Sequence, residues 1–484
     1  MASKRIFICA DHGLAIVYFL QSAVAPTLID QGIEVVLLTD DALREQITRR
    51  FGRPGLVVEG LRLKQARAYA EGHARDRQWW LAFLRRVGSS RRINTEAQDS
   101  YIRQVAVEEP NRRRLLMPAA WLTIAALRNS RAARRALVGI QQQFTPDLYG
   151  DLFQRYQPGL VIASTPGWRQ DRYLLRQAAA LGIPTAAAVV GWDNPSSYAL
   201  PGAPVEWITC WSEMQKQELV EGSDWDPGLV HIGGIPSYDG YFCNEWVLPK
   251  EEYFRMHGLD PQRKLLAYAC SFVSFSPNLR NVQALARLVS SGELAEPSQL
   301  LIRLHPNHFM PGSLFEKERE AMRQLTRVMP HVHMVEPVPL GGELGYYSGE
   351  DMPEKASMMV HADVFLTVYS TMMVEAAVNH SPIVSVCLDT PGGWNTPRKF
   401  SLPLSKIGDW PTHSRFRDTR AGRVALDEAA LRDAVNLYLR DRNADRAERE
   451  ALVRQEVTYT DGSAGRRTAG FILSILSGEG KKTA

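Results

Sequence analysis

The chain has 484 residues, 45% hydrophobic and 23% charged, with a formal net charge of +4 and a pI near 8.7. That is an ordinary globular balance, long enough for two or three domains around a large core. The mild positive surplus excludes a dedicated nucleic-acid binder with its dense basic stripe, although locally concentrated charge can still meet phosphates or anionic lipid.

At the amino terminus, Ser3-Lys-Arg5 is followed by an apolar run of five residues, too short for a signal-peptide core. No stretch approaches the ~20 apolar residues of a spanning helix. A cytoplasmic protein is expected, soluble or peripheral at the inner face of the cell membrane. The five cysteines (Cys9, Cys210, Cys243, Cys270 and Cys387) are far apart, without zinc-ligand spacing, and four fall in or beside apolar strand-like runs. They read as reduced core residues.

Strand and helix signals then alternate in the manner of βαβ units, which predicts α/β architecture with mostly parallel sheets. Arg5-Ile-Phe-Ile-Cys9 is the first strand, Asp11-His-Gly13 a loop before a helix running towards Ile29, and Ile33–Leu38 the second strand. The opening is Rossmann-like without the Gly-x-Gly-x-x-Gly fingerprint. From about 61 to 145 strand signals vanish. Helical stretches carry Arg85-Arg86, Arg91-Arg92, Arg112-Arg-Arg114 and Arg134-Arg135, with the apolar run Leu115–Leu127 between the last two groups. That run suits a buried or interfacial helix, and the basic helices either pack with a solvated face or dock on an anionic membrane. Strands resume at 159–164, 185–190 and 207–211. A linker at 238–249 leads to a second block with strands at 264–270, 300–302, 332–335, 364–368 and 383–387. The expected organisation is a Rossmann-like acceptor domain over 1–236 with the basic helical insertion, and a Rossmann-like nucleotide-donor domain over 250–465. A helix over 466–484 is expected to return to the first domain, and the two domains are expected to face each other across a cleft.

Polar clusters follow several of these strands: Val190-Gly-Trp-Asp-Asn194, Arg303-Leu-His-Pro-Asn307, and Tyr369-Ser-Thr371 with Glu375. Carboxyl ends of strands are where open α/β sheets bind ligands. On these segments the chain resembles the GT-B-fold glycosyltransferases, in particular the bacterial surface-polysaccharide group that includes CDP-glycerol glycerophosphotransferases and His-Pro-motif sialyl- and Kdo-transferases. The resemblance implies that His305, Ser370 and Thr371 hold the donor's phosphates and that Glu375 faces its ribose. Independently, Ser370 and Thr371 suit the N-cap of a helix over 372–379, whose free N–H groups favour phosphate. His305 can donate through a ring nitrogen. Arg303 joins the donor set if its strand turns it inward.

A transferase also needs an acceptor hydroxyl made nucleophilic. His12, with Asp11 beside it to orient the ring, is the first candidate base, and Asp193, next to Trp192 as a sugar or lipid contact, the second. The one Asp-x-Asp, Asp224-Trp-Asp226, precedes a strand and is followed by Pro227-Gly228, so it reads as a surface turn; neither an essential metal nor a cofactor is expected. His331, His333, His361 and His380 read as ordinary strand, helix or surface histidines. The leading expectation is a metal-independent glycosyltransferase moving a sugar from a nucleotide-diphosphate donor to a saccharide or lipid-linked acceptor of the cell surface. Open alternatives are a CDP-glycerol or CMP-linked donor, a sugar-nucleotide 2-epimerase, and a membrane-docked scaffold without activity.

Overall fold

The computed structural model describes residues 4–93, 96–109, 111–271, 278–309, 315–388 and 404–478. It divides into two compact units. The first comprises Met1–Asp239, Gly341–Tyr346 and Val457–Ala484; the second comprises Gly240–Leu340 and Tyr347–Glu456.

The first unit holds a seven-stranded sheet of β1 (Arg5–Cys9), β2 (Glu34–Thr39), β3 (Leu56–Gly60), β4 (Leu160–Ala163), β5 (Thr185–Ala188), β6 (Trp207–Cys210) and β7 (Val230–Ile232), in the order β3-β2-β1-β4-β5-β6-β7. Every neighbouring pair is parallel, and Phe7 of β1 lies opposite Val36 on one side and Val161 on the other. Helices cover both faces, which is why the central strands are continuous apolar runs such as Ile6-Phe-Ile-Cys9, buried throughout. Residues 341–346 add to this unit: the Asp40 carboxylate accepts from the Glu343 and Leu344 N–H groups, and the buried Tyr346 hydroxyl donates to the Ala10 carbonyl. The last helix, Ala464–Leu476, belongs here too. Asp239 caps it by accepting from Ala464 and Gly465 N–H at 3.0 and 2.8 Å, and Phe471 stacks on His231.

Between β3 and β4 runs the basic helical insertion, and Arg85, Arg113 and Arg134 in it are spent on internal contacts. Arg85 donates to the Tyr198 and Leu200 carbonyls, Arg113 pairs with Glu109 and lies over Trp79, and Arg134 grips Asp224 through two bonds of 2.5 and 2.8 Å. That last pair, with Asp226 accepting from Gly228 N–H, accounts for the Asp-Trp-Asp segment as a structural turn. The helix Met117–Asn129 buries Met117, Ala120 and Ile124 in a cluster with Phe83 and Val87.

The second unit contains β8 (Lys264–Ala269), β9 (Ser298–Arg303), β10 (Val332–Val335), β13 (Val364–Thr367), β14 (Ile383–Val386) and β15 (Arg423–Ala425), and β11 (Pro339–Gly341) and β12 (Tyr346–Tyr347) pair in a separate short ribbon. Its main sheet runs β10-β9-β8-β13-β14-β15, again all parallel. Both sheets thus have the doubly wound order in which the third strand is outermost and the chain reverses direction beside the first. The two Rossmann-like units expected from the alternation are present. Four cysteines are buried and Cys243 is exposed. Among the described residues no helix is long and apolar enough to cross a membrane.

Candidate functional site

In a doubly wound sheet the ligand crevice opens where the strand order reverses, between β1 and β4 in the first unit and between β8 and β13 in the second.

At the first reversal, Asp11 follows β1 and Ser164 to Asp171 follow β4. The Asp11 N–H donates to Ser164 Oγ at 3.1 Å, and its carboxylate accepts from the Asp171 N–H at 2.8 Å. Asp171 in turn accepts from the Arg169 N–H and lies 2.5 Å from Thr165 Oγ1. Both carboxyls are fully buried. Burial raises both, and the charge of Asp11 pushes Asp171 further, to about 8. Asp11 therefore braces the loop after β4, which corrects its expected part as the orienting partner of His12. The His12 Nδ1 accepts from Leu14 N–H at 3.2 Å. Burial, reinforced by the charge of Arg169, lowers its pKa well below the usual 6.5, so the ring is neutral with its proton on Nε2. In this geometry the Nδ1 lone pair of His12, expected as a base, is engaged by the backbone and its Nε2–H is the group left to donate.

Asp193 occupies the loop after β5. Trp192 beside it is 1% exposed, so its ring is a core element and cannot be the sugar platform expected of it. The carboxylate of Asp193 lies 2.6 Å from Ser197 Oγ, and Glu96, from the basic insertion, lies 2.7 Å from the same oxygen. The Ser197 hydroxyl is thus shared between two carboxyls. Burial and the charge of Asp193 push the pKa of Glu96 up to about 7. Arg86 donates to the Ser197 carbonyl and lies over the rings of Tyr101 and Tyr198, while Arg169 donates to the Tyr198 hydroxyl. Glu96 was not singled out from sequence; it sits in a helical stretch of mixed polarity, 101 residues from the serine it touches.

At the second reversal, Tyr369 leaves β13 with a φ of +31°, a left-handed turn unusual for an aromatic residue and common where a backbone is shaped for function. Ser370 Oγ accepts from Met372 N–H at 3.3 Å; Thr371 occupies the N-cap of the helix Met372–Val378, with its hydroxyl making no cap bond. Glu375, one turn in and buried, pairs through Oε2 with Lys355 at 2.5 Å and accepts on the same oxygen from the Tyr241 hydroxyl. Lys355 and Tyr241 were not picked out from sequence, since each is far along the chain from Glu375.

His305 follows β9. Its Nδ1 accepts from Asn307 N–H at 3.1 Å, so the neutral ring carries its proton on Nε2, 3.0 Å from the Tyr347 hydroxyl. Burial first, then the charges of His308, Arg303 and Lys355, lowers its pKa to about 3. Arg303 turns inward and is 6% exposed, gripped by Asp351 at 2.5 Å and by Glu354. A guanidinium with both arms on partly buried carboxylates is not available to a phosphate, which corrects its expected place in the donor set. Among the described residues no group of three or more His, Cys, Asp and Glu is placed to hold a metal ion.

No protein-family model matches the chain, and no curated protein matches it by sequence. Solved structures do match. A UDP-GlcNAc 2-epimerase from Neisseria meningitidis bound to UDP-GlcNAc aligns at a TM-score of 0.52 with 12% identity, covering 97% of this chain and 100% of that one. The fold is of the GT-B type. A UDP-N-acetylglucosamine 2-epimerase from Rickettsia bellii aligns at 0.51 with 10% identity over 100% and 98% of the two chains. A glycosyltransferase from Rickettsia africae ESF-5 aligns at 0.51 with 9% identity over 98% and 99%. At such identities the likeness is one of fold, and the same fold carries different reactions.

Proposed function

We propose that the protein is a nucleotide-sugar-dependent glycosyltransferase, with the donor nucleotide on the second unit and the acceptor on the first. The observation that carries this reading is the cluster at the reversal between β8 and β13, where Ser370, Thr371 and the oriented Glu375 follow one strand end and His305 follows the end of β9. Ser370 and Thr371 supply donors for the diphosphate, and His305 acts there through the Tyr347 hydroxyl that its Nε2–H engages. Lys355 and Tyr241 hold one oxygen of Glu375, leaving the other for a ribose diol. The resemblance to the His-Pro-motif transferases and the nucleotide sugar named with one of the structural neighbours point the same way. On the acceptor side, Glu96 with a pKa near 7 is suited to take a proton at neutral pH, with Asp193 and Ser197 completing its hydrogen-bonded pair. These carboxyls also favour the second reading, a sugar-nucleotide 2-epimerase, which needs acid–base groups in the first unit.

Melting the purified protein against UDP, GDP, CDP, CMP and dTDP tests the donor assignment. One nucleotide is expected to raise the melting temperature, and His305→Ala with Ser370→Ala is expected to abolish that rise. Indifference to all five would sink the reading. CDP or CMP alone would redirect it to a cytidine-linked donor, and UDP with no acceptor-dependent turnover to the epimerase.

A lipid-linked acceptor is favoured by one surface. Leu115, Trp121 and Leu122 are 80%, 50% and 76% exposed, and the outward side of helix Met117–Asn129 carries no charge before Arg128. Arg112 to Arg114 lie at one end and Arg128 and Arg131 at the other. Apolar side chains between arginines suit the headgroup zone of an anionic bilayer. Cosedimentation with phosphatidylglycerol vesicles is expected, with little on phosphatidylcholine, and Trp121→Ser with Leu122→Ser should weaken it by about tenfold or more. Equal binding of the variant would remove membrane docking from the proposal.

A further inference from the structure

In the first unit the insertion helices close a cavity of about 250 Å³ against the loop after β4 and the helix Asp171–Ala180 that follows it. That is far more than the ~10–15 Å³ that one water needs. Arg75, Arg85, Arg172 and Arg176 meet in its wall beside Trp79 and Trp168, and the lining holds a single carboxylate, the exposed Glu71.

Neutral acceptors hold three of these arginines in place. Arg85 donates to the Tyr198 and Leu200 carbonyls, Arg172 to the Arg169 carbonyl and the Tyr173 hydroxyl, and Arg176 to the Gly202 and Phe144 carbonyls and Gln141 Oε1. None of the four arginines forms an ion pair among the described residues. Carbonyls fix the direction of a guanidinium without cancelling its charge. The fold therefore holds like charges against one another: burial, with the charges of Arg172 and other arginines, lowers Arg85 to about 9, and burial with the charge of Arg172 lowers Arg176 to about 10. The carboxyl that acts on both, Asp171, is itself raised to about 8 and keeps its proton near neutral pH. Arg85 and Arg176 are buried, and buried guanidiniums with fixed geometry and no counter-ion are unfavourable unless something negative completes them.

We infer that this cavity binds a phosphate-class oxyanion. The inference rests on the reading of the first unit as the acceptor side and gives that acceptor an anionic group. Guanidinium forks match the oxygens of such a group, and the cavity follows directly from the strand that forms the first reversal.

Inorganic phosphate titrated at constant ionic strength, with chloride as the balancing ion, tests it through the melting temperature. The wild type is expected to show a saturable rise. Arg75→Gln with Arg172→Gln, both at partly or fully exposed positions, is expected to raise the apparent dissociation constant about tenfold, which is about 1.4 kcal/mol. The same variant should keep its response to nucleotide, and His305→Ala with Ser370→Ala should keep its response to phosphate. A rise that chloride reproduces, a rise lost with the donor-site variant instead, or no saturable rise would each overturn the inference. Because phosphate and nucleotide are scored on separate variants, failure of this site is distinguishable from failure of the donor site.

Discussion

Replacing Arg303 by alanine is expected to lower the stability of the second unit by about 3–5 kcal/mol, the ordinary cost of removing one partner from a buried ionic group. The arginine stands at the carboxyl end of β9, 6% exposed, with its two arms on Asp351 and Glu354. Glu354 also accepts from the Tyr253 hydroxyl at 3.0 Å and lies 3.5 Å from His257, so one guanidinium anchors a buried polar network that spans several elements. Alanine leaves two partly buried carboxylates facing each other without a cation. Arg303→Lys should recover only part of the loss, since one ammonium cannot satisfy both carboxylates as a planar fork does. Chemical denaturation of the two variants reads the effect as a lowered midpoint at unchanged slope. An Arg303→Ala protein as stable as the wild type but blind to nucleotide would restore the arginine to the donor site.

Arg303 also shows where sequence reading stops. The strand before it was legible because Leu300-Leu-Ile302 is a continuous apolar run of the kind a parallel sheet buries on both faces. The direction of the side chain was not, because its partners lie 48 and 51 residues further along. The same contrast holds through the molecule. Central strands β1, β2, β4, β5, β6, β8, β9, β13 and β14 all announce themselves by composition, as does the edge strand β10. The other three edge strands of the two main sheets, β3, β7 and β15, went unread. Leu56–Gly60 includes Glu59, which pairs with Arg44; Val230–Ile232 has a histidine at its centre; Arg423–Ala425 begins with an exposed arginine. These edge strands are short and have a ladder partner on one side only, so they carry little apolar signal. At the site, the strand-end clusters at Asp11–His12, Asp193, His305 and Ser370–Glu375 could be located from local pattern, and the doubly wound order of both sheets places those clusters at or next to the reversals. Which nitrogen of His12 or His305 holds the proton, and which carboxyl shares Ser197, depends on contacts that no local pattern encodes.

Glu96 is the residue whose loss should weigh most on turnover. Glu96→Gln keeps the shape and a hydrogen-bonding end beside Ser197 but removes the titrating carboxyl, and is expected to lower kcat by about 10²–10⁴-fold, the usual contribution of a positioned proton acceptor. The wild-type rate should rise as pH passes through about 7, where Glu96 loses its proton, and level off above; the variant should lose that limb. Stability moves in the opposite sense. The folded acid holds its proton more tightly than the unfolded one, whose ordinary value is 4.5, so the folded state gains relative to the unfolded at low pH. That gain is lost as pH rises from about 4.5 to about 7. Glu96→Gln should flatten this part of the stability profile as well. The nucleotide-induced rise in melting temperature should be unchanged, because the donor is assigned to the other unit. If kcat falls while the limb near pH 7 persists, another group takes the proton, and Asp193, sharing the same serine at 2.6 Å, is the carboxylate placed to do so.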